Sequence, residues 1–453
     1  MTTIVPTTVP AALSGSLGFA ADVIVALGEL VAPDAWTVAR RTAAAAAFER
    51  LPMPSKRDEH WRFTSLRGID LNKVVTFTPA EHVSDALTLA SGAVAASATP
   101  AARIVAVNGE HVDEGIVYGE LPVGVIVAPL AEALRDHAEL VHRHFGTAVP
   151  VTDSVNDKLV ALNEAAWTTG TFVYVPRGVR VEQQIEHVTV QTVDGATMQP
   201  RLLVVLEANA QATVVEQFIG TDGVTGGFAN GVTELIVGDG AHLEHVTVQD
   251  WPEGVATFST HRLLAGRDAQ VSWTTLGLGA ARGKARLEVR MVGAGSNVKL
   301  TGAYFLDGRQ NLDYDTQQFH EAPNAYSDLS FRGVLTDSAH SVWRGMIDVA
   351  EGAQGTDSYQ ENRNLLLSPL AHADSIPGLQ IEANEVRCTH GATISKVDQD
   401  QLFYLEARGI TRDEATRMIV RGFYTPALDR IEQEALREHI REALFNRMEL
   451  QDV

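Results

Sequence analysis

The sequence has very little cysteine: Cys388 is the single example in 453 residues. One cysteine excludes a disulfide framework within the chain. It also excludes a zinc or iron–sulfur site built from four cysteines of this chain alone. A metal cluster would therefore need ligands from a second protein.

Positive charge is also scarce. Lys and Arg total 36 against 57 Asp and Glu, which gives a net charge of -21. This balance argues against nucleic acid and against an anionic membrane surface, because both need clustered Lys and Arg. Residues 1–32 lack a basic leader, and their apolar stretch carries Asp22 and Glu29, so we predict neither a signal peptide nor a membrane span. We expect a cytoplasmic protein that assembles with selected partners.

Familiar catalytic motifs are missing. The chain has no P-loop, no GxSxG elbow and no HExxH, so we do not expect it to hydrolyse ATP or to be an enzyme. The run from His242 to His245 resembles a zinc motif only loosely, since in a strand these two histidines point to opposite faces. Asp313 and Asp315 form the kind of carboxylate pair that a polysaccharide-active β-helix enzyme needs, although most such pairs are solvated. That enzyme is the alternative function.

Residues 171–386 follow a two-residue hydrophobic period, which is typical of strands. Turns rich in Gly, Asp, Asn and Ala separate these strands, and the small residue that closes each turn recurs at roughly 27 to 31 positions. Such a repeat indicates a solenoid of stacked strands. The predicted fold is mainly β, a right-handed parallel β-helix flanked by helical domains, and a pair of β-sandwiches is the second choice.

The predicted domains are 1–155, mostly helical with a loose N-terminus, 156–393, the β-helix, and 394–453, a helical tail. Pro33 suits the first turn of a helix that reaches Leu51. In the tail, Thr411 and Glu414 form a capping box, and Pro426 is expected to interrupt the helix. The tail then carries one apolar face, which either packs on its own solenoid or docks a partner: Leu428, Ile431, Leu436, Ile440, Leu444 and Met448.

One short stretch, residues 386–393, joins the strand-rich region to the tail. It holds Cys388 and, two residues on, His390. In a strand, residues i and i+2 share a face, so a thiol and an imidazole would project together. Such a pair suits a soft metal or a redox-sensitive site, whereas a buried packing cysteine and a hydrogen-bonded histidine are the simpler interpretation.

Several stretches of the sequence match one family pattern, among them Pro54 to Leu66, Asn362 to Ser368 and Cys388 to Thr393. Together they resemble the SufD family of the SUF iron–sulfur cluster assembly scaffold. The resemblance covers most of the chain beyond residue 30. Asn362 and Gly391 stand where the sister family SufB has a cysteine and a glutamate, whereas Ser395-Lys396 follows the SufB pattern, so a SufB-type subunit is a further alternative. The matching stretches are Pro54 to Leu66, Leu162 to Ala165, Val175 to Gly178, His320, Ser327-Asp328, Trp343 to Gly345, Asn362 to Ser368, Cys388 to Thr393, Leu402 to Leu405 and Arg408-Gly409.

The resemblance implies a complex with SufB and two copies of the ATPase SufC. It implies that the SufB and SufD β-helices pair near their C-terminal ends, that C-terminal helices dock SufC, and that a transient cluster forms at the SufB–SufD interface. The isolated chain would bind no cluster stably and could form a homodimer. A purely structural partner of SufB is the remaining alternative.

These implications give specific residues to examine. His390 is the candidate iron ligand or proton-transfer group, shared with the SufB partner, and Cys388 is the second candidate. The stretch 404–424 is the expected ATPase contact because it joins the solenoid to the tail. Its candidate residues are Tyr404, Arg408, Gly409, Met418 and Phe423.

Overall fold

The structure is a computed structural model that describes residue 13 and residues 15–31, 34–66, 68–152 and 154–449. Within these residues the helices are α1 Ala21–Glu29, α2 Ala35–Arg50, α3 Val83–Ser91, α4 Leu130–Asp136, α5 Ala138–His144, α6 Lys158–Ala166, α7 Gln399–Glu406, α8 Arg412–Leu428 and α9 Glu434–Glu449. The strands are β1 Ala102–Val107, β2 Glu110–Tyr118, β3 Ile126–Pro129, β4 Gly170–Val175, β5 Ile185–Gln191, β6 Ala196–Met198, β7 Arg201–Leu206, β8 Gln211–Gly220, β9 Gly227–Val237, β10 His242–Asp250, β11 Val255–Ala265, β12 Gln270–Gly277, β13 Arg282–Met291, β14 Asn297–Leu306, β15 Asn311–His320, β16 Tyr326–Leu335, β17 His340–Val349, β18 Asp357–Leu366, β19 His372–Ile381 and β20 Arg387–Lys396.

The strands form two sheets that face each other across a β-solenoid. One sheet has the order β2-β1-β5-β8-β10-β12-β14-β16-β18-β20, and the other runs from β19 through the odd-numbered strands to β7, β4 and β3. From β4 and β5 onward every pairing along these sheets is parallel, because the chain passes to the opposite sheet and returns one turn higher. The prediction of a mainly β solenoid is confirmed, whereas its right-handedness stays a prediction.

The spacing between turns in the sequence equals the number of residues in one turn of the solenoid. Gln211 pairs with His242, and Gln270 pairs with Asn297, so equivalent positions in adjacent turns are 31 and 27 residues apart. A buried alanine recurs at the corners of the coil, where a larger side chain would meet the turn below: Ala210, Ala241, Ala269, Ala325 and Ala353. Repetition of small corner residues therefore lets the turns stack closely.

The interior of the solenoid contains the side chains at alternate positions of every strand. Most of them are aliphatic or aromatic and form one continuous cluster that includes Val204, Leu263, Trp273 and Trp343. Residues at the intervening positions face outward and are covered in places by the flanking helices. This alternation is the physical origin of the two-residue period in the sequence.

Helices α1, α2 and α6 pack on the outside of the sheet that contains β9 and β11, whereas α3 packs on β1, β5 and β8 of the other sheet. Helix α2 begins at Ala35, and Asp34 Oδ1 accepts a hydrogen bond from the Thr37 N–H at 2.6 Å. Pro33 and residues 1–12, for which a loose N-terminus was predicted, lie outside the described residues. Strands β1, β2 and β3 belong to the two sheets although they precede residue 156. The domain limits stay a prediction.

The tail helices pack on the outside of the other sheet. The Thr411 hydroxyl accepts from the Glu414 N–H at 3.3 Å, so Thr411 is the N-cap of α8. The expectation that Pro426 interrupts this helix is wrong, because the helix continues through Pro426 and ends two residues later at Leu428. In the last turn, the missing N–H of a proline removes only one hydrogen bond of the helix. The six apolar residues predicted on one face are all buried against the solenoid.

Among the described helices, none combines the length and the apolar character needed to cross a membrane. The cytoplasmic location stays a prediction from the sequence.

Candidate functional site

The solenoid ends on two strands that each have one unpaired edge. Within the part of the chain that the structure describes, β19 pairs only with β17, and β20 pairs only with β18. Leu379 and Ile381 continue the interior rows of Ile347 and Val349, yet they are 38% and 40% exposed because no further turn covers them. Ile394 is 46% exposed for the same reason. Long unpaired strand edges beside exposed apolar residues are characteristic of a surface that another chain covers.

Cys388 lies at the beginning of this last turn. Its strand partner is Ser358, whose side chain is buried inside the solenoid. The thiol is half-buried and packs against four apolar residues, which are Ile347, Val349, Ala353 and Ala383. Burial, together with the nearby carboxylate of Asp357, raises the pKa of the Cys388 thiol. The free chain therefore favours the thiol over the thiolate, and a metal or a cationic partner would have to shift that balance.

His390 lies two residues further along the same strand and shares the interior face with Cys388. It pairs with Gln360, a fully buried residue whose side-chain amide donates to the Gly378 carbonyl at 3.0 Å. The imidazole of His390, in contrast, is exposed because it belongs to the last turn. Two potential ligand side chains thus line the open end of the solenoid.

A chain of buried hydrogen bonds lies directly below Cys388. Ser327 and Ser358 occupy the preceding two turns in the same row, and their hydroxyl oxygens are 2.7 Å apart. His320 Nε2 lies 2.9 Å from Ser327 Oγ, and the Gln318 amide donates to the same oxygen at 2.7 Å. Burial lowers the pKa of His320 to about 4, so its imidazole is neutral near pH 7. Below the Cys388 thiol, hydrogen-bonded polar side chains therefore continue into the interior of the solenoid.

A second buried network lies beside the first. The Tyr304 hydroxyl donates to Asn364 Oδ1 at 2.7 Å, and the Asn364 amide donates to Asn362 Oδ1 at 2.6 Å. Ser375 of β19 also donates to Asn362 Oδ1. The last turns thus contain hydrogen-bonded polar side chains in their interior, beside residues of the apolar cluster. Alternating polar residues on a strand normally indicate a solvent face, which is why the sequence did not identify this interior.

The carboxylate pair of the alternative enzyme is not solvated. Asp313 and Asp315 face outward from β15 but are buried beneath the segment that contains His60 and Thr64. Lys284 Nζ lies 3.0 Å from Asp313 Oδ2 and 3.8 Å from Asp315 Oδ2. Burial alone would raise the pKa of Asp315, but the His60 contact and the Lys284 charge outweigh it and lower this pKa to about 2. These carboxylates anchor the N-terminal segment.

The residues predicted to contact the ATPase lie at the junction between solenoid and tail. Tyr404 is 55% exposed and Met418 is 44% exposed. The Arg408 guanidinium lies over the Tyr404 ring at 4.3 Å, and Gly409, which is also exposed, has a φ of +85° that favours glycine at this turn. Phe423 differs from the others, since it is half-buried beneath Arg332, which donates to its carbonyl at 2.9 Å.

A groove of about 250 Å³ separates these helices from the end of the solenoid. Its walls come from the loop after β18 and from both α7 and α8, and include Leu367, Leu402 and Arg412. The exposed face of the junction therefore combines aromatic, apolar and cationic side chains with an adjoining recess. Such composition is typical of protein–protein contacts.

Comparison with known proteins identifies relatives along most of the chain. Residues 188–423 match the family described as "SUF system FeS cluster assembly, SufBD core domain", and residues 34–186 match "SufBD protein N-terminal region". The chain is 30% identical to the iron–sulfur cluster assembly protein SufD of Bacillus subtilis over 318 residues, which cover 70% of this chain and 72% of that protein.

Two further relatives extend this comparison. An iron–sulfur cluster assembly SufBD family protein of Staphylococcus saprophyticus is 30% identical over 303 residues, 67% of this chain and 64% of the relative. The match thus spans less than two thirds of that protein. A SufBD family protein of Synechocystis is 28% identical over 420 residues and 91% of both chains.

Proposed function

Because the chain belongs to the SufBD family of iron–sulfur cluster assembly proteins, we propose that it is a SufD-type scaffold subunit. In this role it pairs with a SufB-type solenoid through the free edges of β19 and β20. It has no catalytic activity of its own, and the cluster is its transient cargo. The open last turn, with Cys388 and His390 on one face, is the observation that supports this proposal most directly.

The exposed core positions favour a solenoid as the partner. Leu379, Ile381 and Ile394 occupy interior rows whose next layer is missing from this chain. A second solenoid can supply both that layer and the backbone groups that the two edge strands need. In the absence of SufB, a second copy of this chain would use the same edges, which gives a homodimer.

The chemistry of the last turn suits assembly of a cluster between two chains. Imidazole nitrogen and thiolate sulfur both bind iron, but one thiol and one imidazole cannot complete a cluster. His390 is exposed and supplies a ligand or transfers a proton at the interface. Cys388 joins the site when iron or the partner lowers the pKa of its thiol, which is raised in the free chain.

Docking of SufC uses the junction of α7 and α8. Tyr404, Arg408 and Met418 form its exposed surface, and Gly409 sets the turn between the two helices. Helix α9 does not contribute its apolar face, because that face is buried on the solenoid. Phe423 acts indirectly by holding α8 against Arg332.

Co-expression with SufB-type and SufC-type proteins of the same cell tests this function. We expect one complex that contains all three chains and carries iron and sulfide. His390→Ala should leave the native mass unchanged and lower the iron and sulfide content, whereas His372→Ala, an exposed histidine at the start of the other edge strand, should not. Failure of the three chains to associate would contradict the scaffold role. Normal cluster content with His390→Ala would contradict the role of His390 alone.

The ATPase contact has its own test. Met418→Glu should weaken binding of isolated SufC by about tenfold or more, because it introduces a charge at the centre of the apolar contact. Val25→Glu, which changes an exposed apolar residue on α1, serves as the control. Equal SufC affinity for both variants would exclude the α7–α8 junction as the docking site.

A further inference from the structure

A buried group of two histidines and one glutamate lies inside the first half of the solenoid. Glu216 of β8, His245 of β10 and His261 of β11 point into the interior from both sheets. Each offers a ligand atom, and these atoms lie within 4.8 Å of one another. His245 Nε2 is 3.7 Å and His261 Nδ1 is 3.6 Å from the same carboxylate oxygen, Glu216 Oε2.

The carboxylate of Glu216 lacks a full cationic partner. Among the residues that the structure describes, no Lys or Arg lies within 4.0 Å of it, and its ion-pair contacts are the two imidazoles. An ionised carboxylate in an interior is costly unless a cation neutralises it.

Of the two imidazole nitrogens that face this carboxylate, Nδ1 of His261 has no hydrogen-bond partner, whereas Nε2 of His245 also lies 3.1 Å from the Thr247 hydroxyl. Two further buried nitrogens of the group, Nδ1 of His245 and Nε2 of His187, have no partner either. His187 is the strand neighbour of Glu216. Unpaired nitrogen atoms in a core are uncommon and indicate a missing ligand.

We propose that Glu216, His245 and His261 bind a divalent first-row transition metal ion inside the solenoid. Two imidazoles and one carboxylate are a donor set that suits Fe²⁺, Zn²⁺ or Co²⁺. Metal–ligand bonds of about 2.0–2.1 Å place tetrahedral ligand atoms about 3.3 Å apart, so the distances of 3.7 and 3.6 Å from Glu216 Oε2 to the two histidines need to contract only slightly. The ion supplies the positive charge that Glu216 lacks.

Neighbouring residues orient the Glu216 carboxylate and leave a cavity beside the three ligands. The Thr233 hydroxyl donates to both Glu216 oxygens, at 2.8 and 3.1 Å, and fixes the plane of the carboxylate. A cavity of about 40 Å³ adjoins the group and is lined by His261, Thr247 and Gln249. A water needs about 10–15 Å³ of such space, so the cavity accommodates waters that fill the remaining coordination positions. A hydrogen bond that orients a ligand from outside the coordination sphere is typical of a built metal site.

This site is separate from the open end of the solenoid. Strand β10 precedes β20 by five steps in the same sheet, which corresponds to about 24 Å at the usual strand spacing. Neither Cys388 nor His390 can therefore contribute a ligand. The proposal does not depend on pairing with SufB, and the two can fail independently.

Metal content of the untagged full-length chain tests the proposal. The chain is produced in cells supplied with iron, zinc or cobalt. Loosely bound metal is removed by desalting in the presence of a chelator, and the number of metal ions per protein chain is then measured. We expect about one tightly held ion per chain. For the cobalt form we expect ligand-field bands of a nitrogen and oxygen site without a sulfur-to-cobalt transition. A chain that retains none of the three metals overturns the proposal and leaves a shared proton between Glu216 and His245 as the explanation of the cluster.

Matched variants identify the ligands. Glu216→Gln and His261→Gln keep the side-chain size and should lower the retained metal by more than about tenfold. His320→Gln changes another buried histidine of the interior, and Cys388→Ser and His390→Ala change the open end, so all three should retain the wild-type amount. Circular dichroism and gel filtration establish that each variant is folded. If a ligand variant does not fold, Thr233→Val, which removes only the hydroxyl that orients the carboxylate, should still weaken retention, and unchanged retention in every folded variant overturns the assignment.

Discussion

His60 Nδ1 lies 2.6 Å from Asp315 Oδ2 and thereby joins the N-terminal segment to a strand in the middle of the solenoid. Thr64 donates to Asp313 from the same segment, and Lys284 lies between the two carboxylates. Glu59 extends the contact through an ion pair with Arg344 at 2.8 Å. The segment that resembles a family signature in the sequence is therefore a structural clasp on the outside of β13, β15 and β17.

Asp315→Asn should destabilise the protein strongly. The substitution removes one partner of a buried ion pair and leaves Lys284 in the clasp with one carboxylate instead of two. Breaking such a pair costs about 3–5 kcal/mol of unfolding free energy. Chemical denaturation measures this change, and Asp136→Asn, which alters an exposed ion pair with Arg135, is the control. A loss below about 1 kcal/mol for Asp315→Asn would mean that the clasp is not a stabilising contact.

His320 should make the protein sensitive to mild acid. Its pKa is about 4 in the folded chain and 6.5 when unperturbed. The unfolded state therefore takes up this proton first as the pH falls below 6.5, so the contribution of His320 to stability is complete above that pH and is lost towards pH 4. The shift corresponds to about 3 kcal/mol.

The variant His320→Gln isolates this effect from the other buried histidines. Glutamine can still hydrogen-bond to Ser327 but does not titrate. Between pH 7 and 4 the wild-type unfolding free energy should fall by about 3 kcal/mol more than that of the variant. Parallel pH profiles for the two proteins would show that His320 does not titrate as described.

Ile394→Lys should abolish pairing through the end of the solenoid and leave the isolated chain stable. Ile394 is already 46% exposed and has no next turn to pack against, so the lysine costs little in the free chain. In a complex the same lysine would be buried without a partner. Native mass with a SufB-type protein measures the effect, and Val123→Lys, at a residue that is 96% exposed far from this end, is the control. An intact complex would mean that the edge strands are not the interface.

Cys388 should react slowly with alkylating agents in the folded free chain. Burial and the Asp357 carboxylate raise its pKa, which lowers the fraction of reactive thiolate. Asp357→Asn should increase the rate of iodoacetamide labelling by about twofold or more, because it removes the negative charge and frees Arg387, whose Nη1 lies 3.4 Å from that carboxylate. Asp337→Asn, in an exposed turn elsewhere, should not change the rate. Equal rates for both variants would leave burial as the only cause.

The solenoid was accessible to sequence reasoning because its signals are local. Alternation of side chains within each strand and small residues at each corner both occur within one turn, and every turn repeats them. The co-facing of Cys388 and His390 follows from the same two-residue period. The burial of the tail helix face at Ile440 and Leu444 was one of two predicted outcomes, and only the packed structure selects it.

Other features depend on residues that are far apart in the chain. Asp313 and Asp315 were expected to be solvated, because nothing in their own strand indicates that residues 59–64 lie over them. His245 was correctly separated from His242, which points outward and lies 3.0 Å from Glu432. The two-residue period could not identify Glu216 and His261 as the neighbours of His245, because they belong to other strands of the solenoid.

The sequence by itself determined the class of fold, the family and the presence of one thiol and one imidazole on a common strand face, because all of these are set by spacing within short segments. The tertiary structure decided which polar residues are buried, which apolar face is already occupied, and which side chains meet across the interior. Those outcomes depend on how sheets and helices separated by tens to hundreds of residues pack against one another, and burial in turn sets the charge states of Asp315, His320 and Cys388.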